Sequence, residues 1–192
     1  MCPQSDDNRI QKFSKERRRT DVVIFGVFTA LSSVVYVVEG LIPFPVPGGK
    51  WGFSNFLVLY FSYYENISDA VLLAVLKSLL GSILSGTFLT PGFFMGFFGS
   101  LSAAFFQGLV SKSNLFSIVG VSIIGMVTNN ITQFLVGSML ISSTAIYGLL
   151  PVVMLLGIFS AVANSYLAKQ TNDIRRSKLK IDNPESEKVL EK

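Results

Sequence analysis

The chain has 192 residues, 50% of them hydrophobic and 15% charged, with 16 Lys and Arg against 12 Asp and Glu. A soluble domain carries about 25% charge spread along its length. Here the charge gathers at the ends, and between positions 22 and 168 the Asp, Glu, Lys and Arg residues are only Glu39, Lys50, Glu65, Asp69, Lys77 and Lys112; this excludes an ordinary soluble fold and predicts an all-α polytopic membrane protein, a bundle of about six transmembrane helices.

In chain order, residues 1–21 form a basic leader with Lys12, Lys15, Arg17, Arg18 and Arg19. It is long, and no small-residue cleavage pattern follows it, so it does not read as a cleaved signal peptide. A membrane domain, residues 22–168, is divided by Pro, Gly and charge into spans. The first is predicted over 22–41, stopped by Pro43-Phe-Pro-Val-Pro-Gly-Gly49. The second, 51–64, is short for a crossing and is expected to be tilted, capped by the loop before it, or partly re-entrant. The third covers 68–85, the fourth 92–110, the fifth 116–140 and the sixth 144–168. The tail, 169–192, is charged and reads as solvated chain, mobile from Asp182 onward. There is no internal repeat of the inverted-transporter kind.

Lys and Arg flank the first and last spans, so both ends are expected in the cytoplasm, in a cell membrane crossed an even number of times. Lys112 then falls in a cytoplasmic turn, while Glu39, Lys50 and the Pro-Gly loop face outward. The basic ends are topology signals rather than a nucleic-acid surface.

Three polar groups interrupt the apolar middle. Lys77 lies deep in the third span, where an ionisable side chain either faces a pocket or snorkels to an interface. Asn129, Asn130 and Gln133 share a face of the fifth span at i, i+3 and i+4 spacing, which suits either a ligand cavity or interhelical hydrogen bonds. Glu39, Lys50 and Asn55 bracket the Pro-Gly loop, which reads either as a stiff lid over a pocket or as an ion pair at the headgroups. Trp51, Tyr60, Tyr63 and Tyr64 read as an interfacial aromatic belt. Small residues at helix spacing, Gly26 with Ala30, Gly81 with Ser85 and Gly92 with Gly96, suit close helix packing, and Gly26 and Ala30 on the first helix are the candidates for a face that docks another membrane protein.

The chemistry of common enzymes finds no residues to carry it. There is no histidine, one cysteine (Cys2), no phosphate-binding Gly-rich loop ending in Lys-Ser or Lys-Thr, and no Asp-rich magnesium motif. No catalytic residue, metal site or cofactor is expected.

Three segments carry a resemblance. Glu39-Gly-Leu-Ile-Pro-Phe-Pro-Val-Pro-Gly-Gly-Lys50-Trp-Gly-Phe-Ser-Asn55, Leu76-Lys77-Ser-Leu-Leu-Gly81-Ser82 and Gly120-Val-Ser-Ile-Ile-Gly125-Met-Val-Thr-Asn129-Asn130-Ile-Thr-Gln133 resemble, in order, the blocks of the Gx transporter family, often labelled heptaprenyl diphosphate synthase component I. That family is similar to the substrate-binding S components of energy-coupling-factor importers. Lys77 stands where the family tends to have Arg, keeping the charge without the planar fork, and Asn129 stands where it tends to have His. The resemblance implies a subunit that binds a small vitamin- or precursor-like solute, anionic or amphipathic, from outside. It would dock through its first helix on a transmembrane coupling protein driven by two ATPases. The older label implies instead an accessory subunit of isoprenoid or quinone biosynthesis.

Overall fold

The computed structural model describes residues 4–43, 51–113 and 115–182. They form six α-helices: α1 (Gln4–Gly40), α2 (Phe56–Tyr64), α3 (Ile67–Leu84), α4 (Pro91–Ser111), α5 (Ile118–Ile141) and α6 (Leu150–Asp182). A 3-10 turn, Phe53–Asn55, leads into α2, and another, Thr144–Leu149, leads into α6. No strand occurs among the described residues.

Each boundary has a local cause. The Thr90 side chain caps α4 by accepting from the Phe93 N–H, and Pro91 follows at the first helical position, where its missing N–H costs nothing. α3 closes at Gly86, whose φ of +67° ends the helix in the left-handed region. α5 ends at Ser142, also left-handed at φ +52°. The helical register of α1 continues through the basic leader, so α1 is 37 residues long and its apolar part occupies the C-terminal half.

Five helices are long and apolar enough to cross a bilayer, over Val22–Gly40, Ile67–Leu84, Pro91–Ser111, Ile118–Ile141 and within Thr144–Ser177. Their outward faces carry Val22, Val27, Val34, Leu72, Ile83, Phe105, Met139, Leu155 and Phe159, all exposed, while Ser32, Ser33, Lys77, Ser82, Ser100, Gln107, Asn129 and Asn164 are buried. Apolar outside and polar inside is the arrangement of a helical bundle in lipid, because lipid tails offer apolar side chains as good a home as the interior does. The chain is a multi-pass membrane protein.

The sixth helix is different. α2 has nine residues, a length of about 14 Å against a hydrocarbon core of about 30 Å. It lies inside the bundle, in contact with α3, α4, α5 and α6, and Leu57, Val58 and Leu59 have no exposed surface. Phe25 and Phe28 of α1 meet Phe61 and Tyr60 edge-on, with centroids 5.4 to 5.9 Å apart. Ser111 at the end of α4 donates to the Ser62 carbonyl at 2.7 Å. The C-terminal end of α2 thus sits beside the first half of the α1 span and the end of α4. Its N-terminal end is held by Ser32, whose hydroxyl donates to the Ser54 carbonyl at 2.8 Å. Ser32 lies ten residues into the α1 span, about 15 Å deep. The strap of residues 51–55 therefore enters the bundle beside the middle of the α1 span before α2 begins.

Close approach elsewhere rests on glycine. A Cβ on Gly81 would collide with the Tyr36 ring, and one on Gly108 with Ile67. α4 and α5 make the most extensive helix pair.

Candidate functional site

The strap carries non-helical backbone at membrane depth, which is tolerated only where protein groups satisfy it. Both carboxylate oxygens of Glu39 are used in this way: one accepts from the Gly52 N–H and the other from the Ser54 N–H at 3.2 Å. Asn164 of α6 donates to the Gly52 carbonyl at 2.9 Å. Gly52 has φ +86°, a conformation a side chain resists, and it turns its N–H to Glu39 and its carbonyl to Asn164.

Lys77 comes up from α3. Its ammonium donates to Asn55 Oδ1 at 2.5 Å and Ser54 Oγ at 3.2 Å, and Ser100 of α4 donates to the same Asn55 oxygen at 3.2 Å. Lys77 is 0% exposed and Glu39 3%, so two opposite charges are buried on either side of one residue, Ser54. Each is hydrogen-bonded to the strap, and each offsets the field of the other, which is the condition under which buried charge is tolerated.

Beneath the strap lies a small void of about 20 Å³, the room of one ordered water. It is bounded by Trp51, Gly52 and Asn55, by Gln107 of α4, by Ser122, Asn129 and Asn130 of α5, and by Ser160 and Asn164 of α6. Glycines make room for these amides: a Cβ on Gly99 would stand 2.7 Å from Asn129 Oδ1, one on Gly125 would overlap the Gln107 amide, and one on Gly157 would stand 3.0 Å from Asn130 Nδ2. Three buried amide oxygens, Gln107 Oε1, Asn129 Oδ1 and Asn164 Oδ1, have no hydrogen-bond partner in the structure. Buried polar groups are nearly always paired, so these mark the wall as prepared for something polar.

The residues singled out in the sequence are placed as follows. Asn55, Asn129 and Asn130 line the void. Glu39 and Lys77 hold the strap and do not line it. Gln133 is buried with its chain against Gly99 and lies off the void. Lys50, with most of the Pro-Gly loop, lies outside the described residues, as does the tail beyond Asp182. Gly26 and Ala30 lie on the exposed face of α1, and nothing stands within 4 Å of a Cβ added at Gly26. The aromatic belt requires correction at two positions: Trp51 lines the void, and Tyr60 is 1% exposed inside the bundle, with its phenol accepting from Arg175 at 2.7 Å. The sequence reading missed Gln107, Ser122, Ser160 and Asn164. The i, i+4 spacing of Ser160 and Asn164 on one face of α6 was a usable signal; a lone Gln107 was not.

These features define a class: a multi-pass helical membrane protein with charged groups pinning a re-entrant strap over an amide-lined interior. A family model described as heptaprenyl diphosphate synthase component I matches residues 28–171, and the chain belongs to that family. No curated protein and no solved structure matches it.

Proposed function

We propose that this protein is the solute-binding membrane subunit of an energy-coupling-factor-type importer. The observation that carries the reading is the convergence of amides from the strap, α4, α5 and α6 on one buried void at mid-bundle. Packing alone needs no such gathering, since interhelical amides can bond pairwise, whereas a binding site needs several polar groups converging on one point. Asn55, Asn129 and Asn130 contact the solute; Gln133 backs the α5 face; Glu39 and Lys77 position the strap that carries Asn55. Lys50, at the outer end of that strap, belongs to the entry side. The exposed Gly26 and Ala30 of α1 form the face that docks a transmembrane coupling protein with its two ATPases. Both termini lie in the cytoplasm, and the solute enters from outside.

The test is twofold. Native mass spectrometry of gently solubilised protein is expected to find a small bound molecule that Asn130→Ala loses. Pull-down from native membranes is expected to recover a coupling protein and two ATPases. The family description favours a second reading, a membrane accessory of heptaprenyl diphosphate synthesis. Recovery of a prenyltransferase in the pull-down, with no bound small molecule, would establish that one instead.

A further inference from the structure

The turn between α3 and α4 is built inside out for a turn in water. It lies at the end of the bundle opposite Glu65, Asp69 and Lys112, and from Ser78 to Ser111 the chain holds no Asp, Glu, Lys or Arg. Its polar groups are spent largely on one another. The N–H groups of Ser85, Gly86 and Thr87 donate to the carbonyls of Gly81, Ile83 and Ser82 at 3.0, 3.2 and 2.9 Å. The Ser85 and Thr87 hydroxyls bond each other at 2.8 Å. The Thr90 hydroxyl donates to the Thr87 carbonyl at 2.7 Å while accepting from the Phe93 N–H. Backbone close to hydrocarbon has to find its partners within the protein in this way. What the turn shows outward is apolar: Phe88 is 43% exposed and Leu89 62%, and Ile83 and Leu84 are exposed just before them.

Leu89 also holds φ +62°. Left-handed backbone suits Gly, Asn or Asp and strains a leucine. Strain of that kind persists where the side chain has a task, and for an exposed leucine the task is not packing within the fold.

Helix lengths place the turn in the bilayer. Ile67 stands between Glu65 and Asp69, which belong at the aqueous edge. Gly108 of α4 packs on it, since a Cβ there would collide with Ile67. From that level α3 runs to Leu84 and α4 back to Pro91, in each case about 26 Å. The hydrocarbon core is about 30 Å thick, and tilt only shortens the reach. The turn therefore stops at the far acyl boundary or below it.

We infer that this turn is a lipid anchor: Phe88 and Leu89 insert into the acyl chains of the leaflet at that end of the bundle, with the turn backbone at the headgroup boundary. The surface it fits is the bilayer. The anchor fixes the depth of α3 and α4, which bring Lys77 and Ser100 to Asn55, and so sets the level at which the strap lies. It stands whether or not the void binds a solute.

The experiment uses the full chain in lipid nanodiscs. In a Cys2→Ser background, Leu89→Cys and Phe88→Cys carry a nitroxide label. Leu155→Cys, exposed on the α6 span, is the lipid reference, and Ser113→Cys, in the α4–α5 turn, the aqueous one. Collision with a nickel chelate is expected to be roughly tenfold lower at Phe88 and Leu89 than at Ser113, because a polar complex is excluded from acyl chains. Collision with oxygen should match that at Leu155. The unlabelled variant Leu89→Asp gives an independent readout through its sign. In water, Asp suits left-handed backbone better than Leu and holds or raises the thermal midpoint. In lipid its charge lowers the midpoint, while Ser113→Asp leaves it unchanged. Labels at both positions as open to the chelate as Ser113, or a midpoint held or raised in Leu89→Asp, overturn the anchor and make the Phe88–Leu89 pair a face for another protein instead.

Discussion

At the residue scale, the strap depends on Gly52 and on two buried charges. Gly52→Ala places a side chain in the left-handed region, at a cost of roughly 1–2 kcal/mol, with open space for the methyl group itself, whose nearest neighbours would be 3.7 Å away. Its expected effect is a modest fall in thermal stability with a larger loss of solute binding, because the strain falls on the segment carrying Asn55; unchanged binding would show that the strap is not part of the site. Lys77→Met removes the buried cation on the far side of Ser54 from Glu39 and should destabilise by about 3 kcal/mol or more. Glu39→Gln added to it should recover part of that loss, and strict additivity in the double-mutant cycle would show that the two charges do not act through Ser54. Lys77, Asn55 and the α5 amides were legible in the sequence because polar groups stand out in apolar spans. Which of them face the void was not, since that depends on Lys77 reaching across to the strap, a contact between residues 22 positions apart.

At the scale of elements, the amides are seated by glycines on facing helices. Gly99→Ala brings a methyl group to 2.7 Å from Asn129 Oδ1 and 2.8 Å from Gln133 Cγ, an overlap that costs about 1–3 kcal/mol where neighbours cannot yield. Lower thermal stability in detergent is expected, with partial rescue by Asn129→Ser, which removes the clashing amide. The long spans were readable from hydropathy to within a few residues, apart from the basic leader and the stretch from 169 to 182, where α1 and α6 run on as helix into charged sequence that no apolar pattern announces. α6 also begins later than read: positions 144–149 form a 3-10 turn because their composition is as apolar as the helix that follows. α2 looked marginal as a crossing. Its depth could not be read, because nothing in a linear pattern says that the preceding residues dip into the bundle.

At the scale of the molecule, Arg175 joins α6 to the opposite end of α2, pairing with Glu65 and donating to Tyr60. α2 thus has the strap at one end and this cluster at the other. Tyr60→Phe removes one of the two links and should lower stability by about 1 kcal/mol, with solute affinity measured alongside to learn whether the two ends are coupled. Topology is checked by thiol labelling in a Cys2→Ser background. Ser113→Cys is expected to react from the cytoplasmic side only, and Ser143→Cys from the outside only.

The shortness of α2 also bears on how the protein is made. A nine-residue apolar segment cannot rest in lipid by itself, so it has no independently stable place in the membrane during synthesis. The five longer helices are each long and apolar enough to cross a bilayer; α2 is held in place by the helices packed around it. Assembly therefore has an obligatory late event, the docking of this segment together with its polar strap. Substitutions in the strap should accordingly slow maturation and raise turnover by membrane proteases, even where the finished protein tolerates them.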